Sequence, residues 1–290
     1  MTQISTASSA NKVWFITGAS RGFGALIARD ALRRGDSVVA TARNPQTVID
    51  QLGEHPQLLA LKLDVTNEAQ ATDAAGEAIK RFGRIDVLVN NAGYGLIGAV
   101  EEASAEEVRA LYDTNVFGLL HVTRAVLPAM RAARSGHVIN ISSVGGFSSY
   151  SAWGVYCSTK FAVEGLSEAL YHELAPLGVK VTVVEPGFFR TDFLDDSSLK
   201  STGVRIGEYV ETVGAMRSLM ADANHKQPGD PLKLSQAILQ LADTATPPQR
   251  LQLGSDTVAR LQEKHRFVEA ELAQWLSVAT STDHDVLQAA

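Results

Sequence analysis

Tyr156 and Lys160 stand four residues apart in a stretch of helical period, so both side chains leave one face of one helix. A free phenol ionises near pH ~10, and a neighbouring ammonium favours the phenolate. Such a pair offers an acid for carbonyl reduction and a base for alcohol oxidation. Ser143 follows the apolar run 137–142 and precedes Tyr156 by thirteen positions. Its hydroxyl can hold a substrate oxygen beside the phenol. Ser142 is the competing hydroxyl, and strand alternation sends the two to opposite faces.

A second chemical feature lies near the start of the chain. The run 13–17 leads into Gly18-Ala19-Ser20-Arg21-Gly22-Phe23-Gly24. Gly18 permits a tight turn. Gly22 and Gly24 let the backbone approach a pyrophosphate and let helix and strand pack closely, and the helix start offers amide donors to that phosphate. Sites specific for NAD usually end their second strand with a carboxylate on the adenosine ribose. Here that position reads Ala42-Arg43. A guanidinium there can bind a 2′-phosphate through paired donors, and Arg21 is a second candidate cation. The competing reading leaves both arginines as solvated surface charges. NADP(H) is the expected cofactor.

These residues need a scaffold, and the chain supplies one. Short apolar runs recur at 13–17, 37–42, 58–65, 85–90, 137–142 and 179–184, most of them apolar on both faces. Helical periods fill the gaps at 25–34, 67–81, 105–134 and 156–177. Repeated β-α-β units imply an α/β doubly wound Rossmann fold, with about seven parallel strands and helices on both faces. A short strand at 250–253 would complete the sheet, and an amphipathic helix follows to about Trp275. Residues 187–230 break the rhythm and are expected as a partly helical, substrate-binding insertion. Residues 1–11 are expected as a disordered leader, 12–276 as one catalytic domain, and 277–290 as a loose tail.

Thr17-Gly18-x-x-x-Gly22-x-Gly24 resembles the cofactor turn of the short-chain dehydrogenase/reductase family. Four further segments match that family in order: Asp64-Val65, Asn90-Asn91-Ala92-Gly93, Ser143 with Tyr156-x-x-x-Lys160, and Pro186-Gly187. The resemblance covers residues 12 to about 191 and stops before 200. The segment Val38 to Pro45 is similar to the hydroxysteroid- and retinol-dehydrogenase-like branch. The resemblance implies an oxidoreductase that interconverts a ketone or aldehyde with an alcohol, using the pro-S hydride of its cofactor. It assigns Ser20, Arg21 and Phe23 to the cofactor turn, and Asp64 and Val65 to the adenine. Asn90, Ala92 and Gly93 would line a ribose. Lys160 would bond the nicotinamide ribose, while Pro186, Gly187 and Thr191 would contact its carboxamide end. Asn115, inside Asp113-Thr114-Asn115-Val116-Phe117-Gly118, would hold a water linking the lysine to solvent. Family members often form dimers or tetramers through their two long central helices, so a homo-oligomer is expected.

Composition narrows the alternatives. The 290 residues carry a net charge of −6, a poor bulk match for nucleic acid or an anionic membrane. The single cysteine, Cys157, permits neither an internal disulfide nor a cysteine zinc cluster. The seven histidines show no metal-binding spacing, so no metal is expected. No apolar run approaches the ~18 residues of a membrane span, and no secretory signal opens the chain, so a cytoplasmic protein is expected. Phe147, Tyr150, Trp153, Phe188, Phe189, Phe193, Met216 and Met220 flank the proposed site and point to a bulky or apolar substrate. Three readings compete: an NAD(H)-preferring alcohol dehydrogenase, a non-catalytic NADP-binding sensor, and a nucleotide-sugar epimerase or dehydratase. The last usually carries Thr-Gly-x-x-Gly-x-x-Gly, which is absent here. The sensor reading is weakened by retention of Ser143, Tyr156 and Lys160.

Overall fold

The computed structural model describes residues 11–284. The expected leader, apart from Asn11, and residues 285–290 of the expected tail lie outside them. The strands are β1 (Val13–Thr17), β2 (Ser37–Ala42), β3 (Leu58–Lys62), β4 (Val87–Asn90), β5 (Gly95–Ile97), β6 (Gly136–Ile141), β7 (Val179–Pro186), β8 (Leu199–Ser201) and β9 (Arg250–Leu253). Seven of them form one parallel sheet in the order β3-β2-β1-β4-β6-β7-β9, while β5 and β8 pair separately. The chain winds outward from β1 in one direction and then from β4 in the other. This reversal opens a crevice at the carboxyl ends of β1 and β4, where ligands bind in such sheets.

The helices are α1 (Gly22–Arg33), α2 (Gln46–Leu52), α3 (Glu68–Phe82), α4 (Ala105–Tyr112), α5 (Gly118–Ala133), α6 (Gly154–Leu174), α7 (Ala215–Ala223), α8 (Pro231–Asp243) and α9 (Ser255–Thr280). Alternating β1 residues supply both core layers. Trp14 and Ile16 pack toward α1 and α8, and Phe15 packs toward α3 and α5. Buried alanines at 71, 74, 75 and 78 form a flat stripe that lets α3 lie close to the sheet. Caps set the helix ends. Asn67 accepts from the Gln70 amide to start α3, and Gly83 stops it in the left-handed region. Ser104 and Glu107 form a reciprocal capping box on α4.

The structure departs from the sequence reading in several places. The expected helix over 105–134 is interrupted: Asp113–Phe117 forms a π-helical turn between α4 and α5, where Asn115 turns inward to bond the Tyr94 backbone. Helices α2 and α8 and the β5–β8 pair fill stretches the periodicity left unassigned. Helix α8 starts at Pro231 with Asp230 accepting from the Leu232 amide, a start signal the sequence did contain. Residues 277–280 are helical rather than loose, because nothing between Ser255 and Thr280 is Gly or Pro to stop α9. No described helix is long and apolar enough to cross a membrane.

Candidate active site

The crevice is a cleft of about 1010 Å³ at the carboxyl edge of the sheet. The first turn forms one wall. Gly18 has φ +64°, and a Cβ there would lie 3.0 Å from the Ala92 Cα. Gly22 has φ +54° and open space where its Cβ would stand. The amides opening α1 have no side-chain cap. Gly24 takes the packing half of its expected role: it does not line the cleft, and a side chain there would strike the Gly18 carbonyl. It is a packing glycine.

Two loops are tied together beneath this turn. The Thr17 Oγ1 accepts from the Asn91 and Ala92 amides, each at 3.0 Å. The Asn91 Nδ2 donates to the Thr17 and Gly18 carbonyls at 2.9 and 3.0 Å. Asn91 went unassigned in the sequence, although it adjoins Asn90 in the same motif. The Asn90 side chain does not reach the cleft. It is buried at the end of β4, donating to Thr123 Oγ1 and Asn140 Oδ1 at 2.9 Å each. Strand alternation explains the exchange, because neighbouring asparagines at a strand end face opposite ways.

Ser20, Arg21, Phe23, Arg43, Asp64, Val65, Ala92, Gly93, Pro186, Gly187 and Thr191 all border the cleft. Arg43 is exposed and has no hydrogen-bond or ion-pair partner among the described residues. Arg21 instead donates to the Ser197 carbonyl at 2.9 Å, linking the first turn to the insertion. Asp64 Oδ1 accepts from the Thr66 amide and hydroxyl at 3.0 and 2.8 Å. The insertion is anchored by Asp256, which accepts from the Phe188 amide at 2.7 Å. Phe193, Met216 and Met220 line the far side, whereas Phe147 lies outside the cleft, edge-on to His265.

Ser143 projects from the end of β6, its Oγ accepting from the Gly145 amide at 3.0 Å. Tyr156 and Lys160, each 7 % exposed, lie on α6. The Tyr156 ring is packed by Trp153 and Phe193, at centroid distances of 5.5 and 5.8 Å. The Lys160 Nζ donates to the Ile141 carbonyl at 2.9 Å. Asn115 is buried outside the cleft lining. Its Oδ1 accepts from the Tyr94 amide at 3.1 Å, and its Nδ2 donates to Thr159 Oγ1 at 3.2 Å. Asn115 and Lys160 nevertheless meet across Gly93, where a Cβ would lie 3.0 Å from Asn115 Oδ1 and 3.9 Å from Lys160 Nζ.

Burial dominates the electrostatics of the pair. Burial pushes the Tyr156 phenol well above its ordinary value, and the Ser143 hydroxyl opposes this only in part. The Lys160 Nζ lies 5.9 Å from the ring centroid and donates to the Ile141 carbonyl rather than to the phenol. Burial brings Lys160 itself down to about 8, with Glu164 opposing. Spacing placed the two side chains together but carried no information on how dry their wall is.

Among the described residues one group has metal-ligand chemistry: the side chains of Asp192, Asp195 and His225, of which Asp192 borders the cleft. Asp195 is already engaged, by Asn224 at 2.7 Å and by His225 at 3.2 Å. A nicotinamide dinucleotide fits the observed donors. The glycine cradle, the uncapped amides of α1 and the unpaired Arg43 guanidinium all face one trough.

A family model described as short chain dehydrogenase matches residues 12–201. An oxidoreductase of Botryotinia fuckeliana, BOA17, is 37 % identical over 93 % of this chain and 99 % of its own. A 3-ketodihydrosphingosine reductase of Bacteroides thetaiotaomicron is 39 % identical over 84 % and 88 %. A solved short-chain dehydrogenase of Streptomyces avermitilis is 43 % identical, with a TM-score of 0.88 over 95 % of this chain and 100 % of that one. Two more distant structures, each 26 % identical, carry the two cofactors. A Burkholderia phymatum protein holds NAD (TM-score 0.78, covering 90 % and 95 %), and ElxO holds NADP (TM-score 0.72, covering 86 % and 100 %).

Proposed function

The chain belongs to the short-chain dehydrogenase family, and on that premise we propose that it is an NADP(H)-dependent reductase of bulky, largely apolar ketones. The observation that carries this reading is Tyr156, a buried phenol kept protonated, standing beside Ser143 in an apolar wall. An alkoxide binds a proton more tightly than any phenolate. Transfer from Tyr156 to an oxygen that is becoming an alkoxide therefore runs downhill even from a phenol held above its usual range. Ser143 holds the same oxygen in place. NADPH, when bound, would supply the hydride. A carbonyl that receives that hydride would take the Tyr156 proton to become the alcohol, with the Lys160 Nζ 5.9 Å from the centroid of the phenol ring.

The glycine turn, Ala92-Gly93, Lys160 and Pro186-Gly187 would hold the dinucleotide. Ala42 in place of a strand-end carboxylate, with Arg43 free beside it, supports NADP(H) over NAD(H). The lining by Trp153, Phe193, Leu194, Met216 and Met220 supports an apolar substrate, and so does the likeness to a 3-ketodihydrosphingosine reductase. The test is steady-state oxidation of NADPH, and separately of NADH, against aliphatic, aryl, steroid-like and long-chain amino ketones. Turnover favouring NADPH with the apolar members is expected. Tight NADPH binding without turnover of any ketone would overturn the reading.

A further inference from the structure

One helical turn beyond Lys160, α6 carries Glu164, 5 % exposed, with no hydrogen-bond partner on either carboxyl oxygen. Facing it from β7 is Glu185, fully buried. Its Oε2 accepts from Gln252 Nε2 at 3.1 Å, and its Oε1 has no partner. Ser142, adjoining the substrate-holding Ser143, also has an unpartnered buried hydroxyl. Gly146 leaves the space these groups share: a Cβ there would lie 2.5 Å from Ser142 Oγ and 3.0 Å from Glu164 Oε1. The nearest cation to the pair is Arg250 of β9. Its Nε lies 3.8 Å from Glu164 Oε2, while its Nη2 is committed to Glu168 at 2.8 Å.

The surroundings of Glu164 are therefore Lys160 and Glu168 on its own helix, Ser142 at the end of β6, Glu185 on β7, and Arg250 and Gln252 on β9. The turn Val144–Gly146 brings no ionisable group. Two buried carboxylates cannot both ionise beside one shared guanidinium, because each charge lacks water and repels the other. One proton stays in the pair. Burial first, and then Glu185, hold the Glu164 carboxyl up at about 7. The negative charge that remains lies on the face of α6 that also carries Lys160.

We propose that Glu164 is a positioning residue for the proton donor: paired with Glu185, with one proton between them, it keeps the Lys160 ammonium charged in the dry wall of the cleft. The inference rests on the reading of Tyr156 and Lys160 as donor and support. Glu164 is the carboxylate one helical turn from Lys160 on α6, and its oxygens face Ser142, Glu185 and Arg250 rather than a structural partner of their own.

Two measurements on the full chain test this. The first is infrared titration of the free protein, which needs no substrate. Wild type should show a protonated-carboxyl stretch that fades near pH 7, and in Glu164→Gln that stretch should be absent or fade about one unit lower. The second is the pH profile of kcat/KM for NADPH-dependent ketone reduction. In Glu164→Gln its alkaline limb should move down by about one unit, and Glu164→Asp should restore it. A rate lowered equally at all pH values would assign Glu164 a merely structural role and overturn the proposal. So would a stretch with the same midpoint in wild type and Glu164→Gln. If no ketone turns over while the infrared result holds, the functional reading fails and the carboxyl pair stands.

Discussion

Tyr156 is in effect a neutral acid whose neighbours hold it in place more than they activate it. Removing its hydroxyl deletes the proton that the reduction needs and leaves the ring in its aromatic packing. Tyr156→Phe should lower kcat by about 10²–10⁴-fold, with NADPH affinity by fluorescence titration unchanged. Comparable kcat in the two proteins would sink the acid assignment. Arg43 carries the other residue-scale argument. A charge-assisted hydrogen bond contributes about 1.5–3 kcal/mol, which is roughly 10–100-fold in affinity. Arg43→Asp should therefore cut the NADPH-over-NADH ratio of kcat/KM by roughly that factor. Arg21 would remain as the second cation, provided it leaves the Ser197 carbonyl. An unmoved ratio would point to Arg21 as the discriminating charge.

Elements bring these residues together, and the tightest junction is that between the first turn and the loop after β4. Gly18→Ala puts a Cβ in the left-handed region, at a cost of about 1–2 kcal/mol, and pushes it against the Ala92 backbone. The expected outcome is a lower midpoint in thermal unfolding together with a much larger loss of NADPH affinity, since both loops border the cofactor trough. A variant that lost stability alone would detach the turn from binding. This junction also marks how far the sequence could be read. Strand runs, the glycine turn and the Ser143–Tyr156–Lys160 spacing are local patterns, and they lie where local patterns predict. The π-turn at Asp113–Phe117 depends on a bond from Asn115 to Tyr94, twenty-one positions away, which no periodicity encodes. The inward turn of Asn90 and the outward one of Asn91 depend on where β4 ends. Glu164 and Glu185 share a pocket only because α6 packs on β7. Burial, and with it the protonation of Tyr156, belongs to packing rather than to spacing.

Across the whole molecule, buried ionisable groups pull stability in opposite directions as pH falls. His137 is held down to about 3, first by burial and then by Lys180 and Lys12. Between its ordinary value of about 6.5 and that folded value the unfolded chain binds the extra proton, so acidification destabilises the fold. Glu164 behaves in reverse. Its folded value of about 7 exceeds the ordinary carboxylate value, so from about pH 7 down to about 4.5 the folded chain binds the extra proton and acidification stabilises it. Each group alone would tilt stability by about 1.4 kcal/mol per pH unit. Over roughly pH 4.5–6.5 the two tilts oppose, and the Glu185 carboxyl, also raised by burial, adds to the stabilising side. Below that range only losses remain. Burial works against ionisation of Glu102, yet the Ile206 and Ala99 amides and Arg217 hold its carboxyl down to about 2, so its contribution also fades there. Denaturant midpoints measured against pH should therefore hold level or rise slightly from near neutrality to about pH 4.5 and then drop steeply. In His137→Gln the plateau should tilt, with stability rising on acidification between about pH 6.5 and 4.5, because the carboxyl pair is then unopposed. A plateau that keeps its shape in that variant would show that His137 is not the group balancing the carboxyl pair.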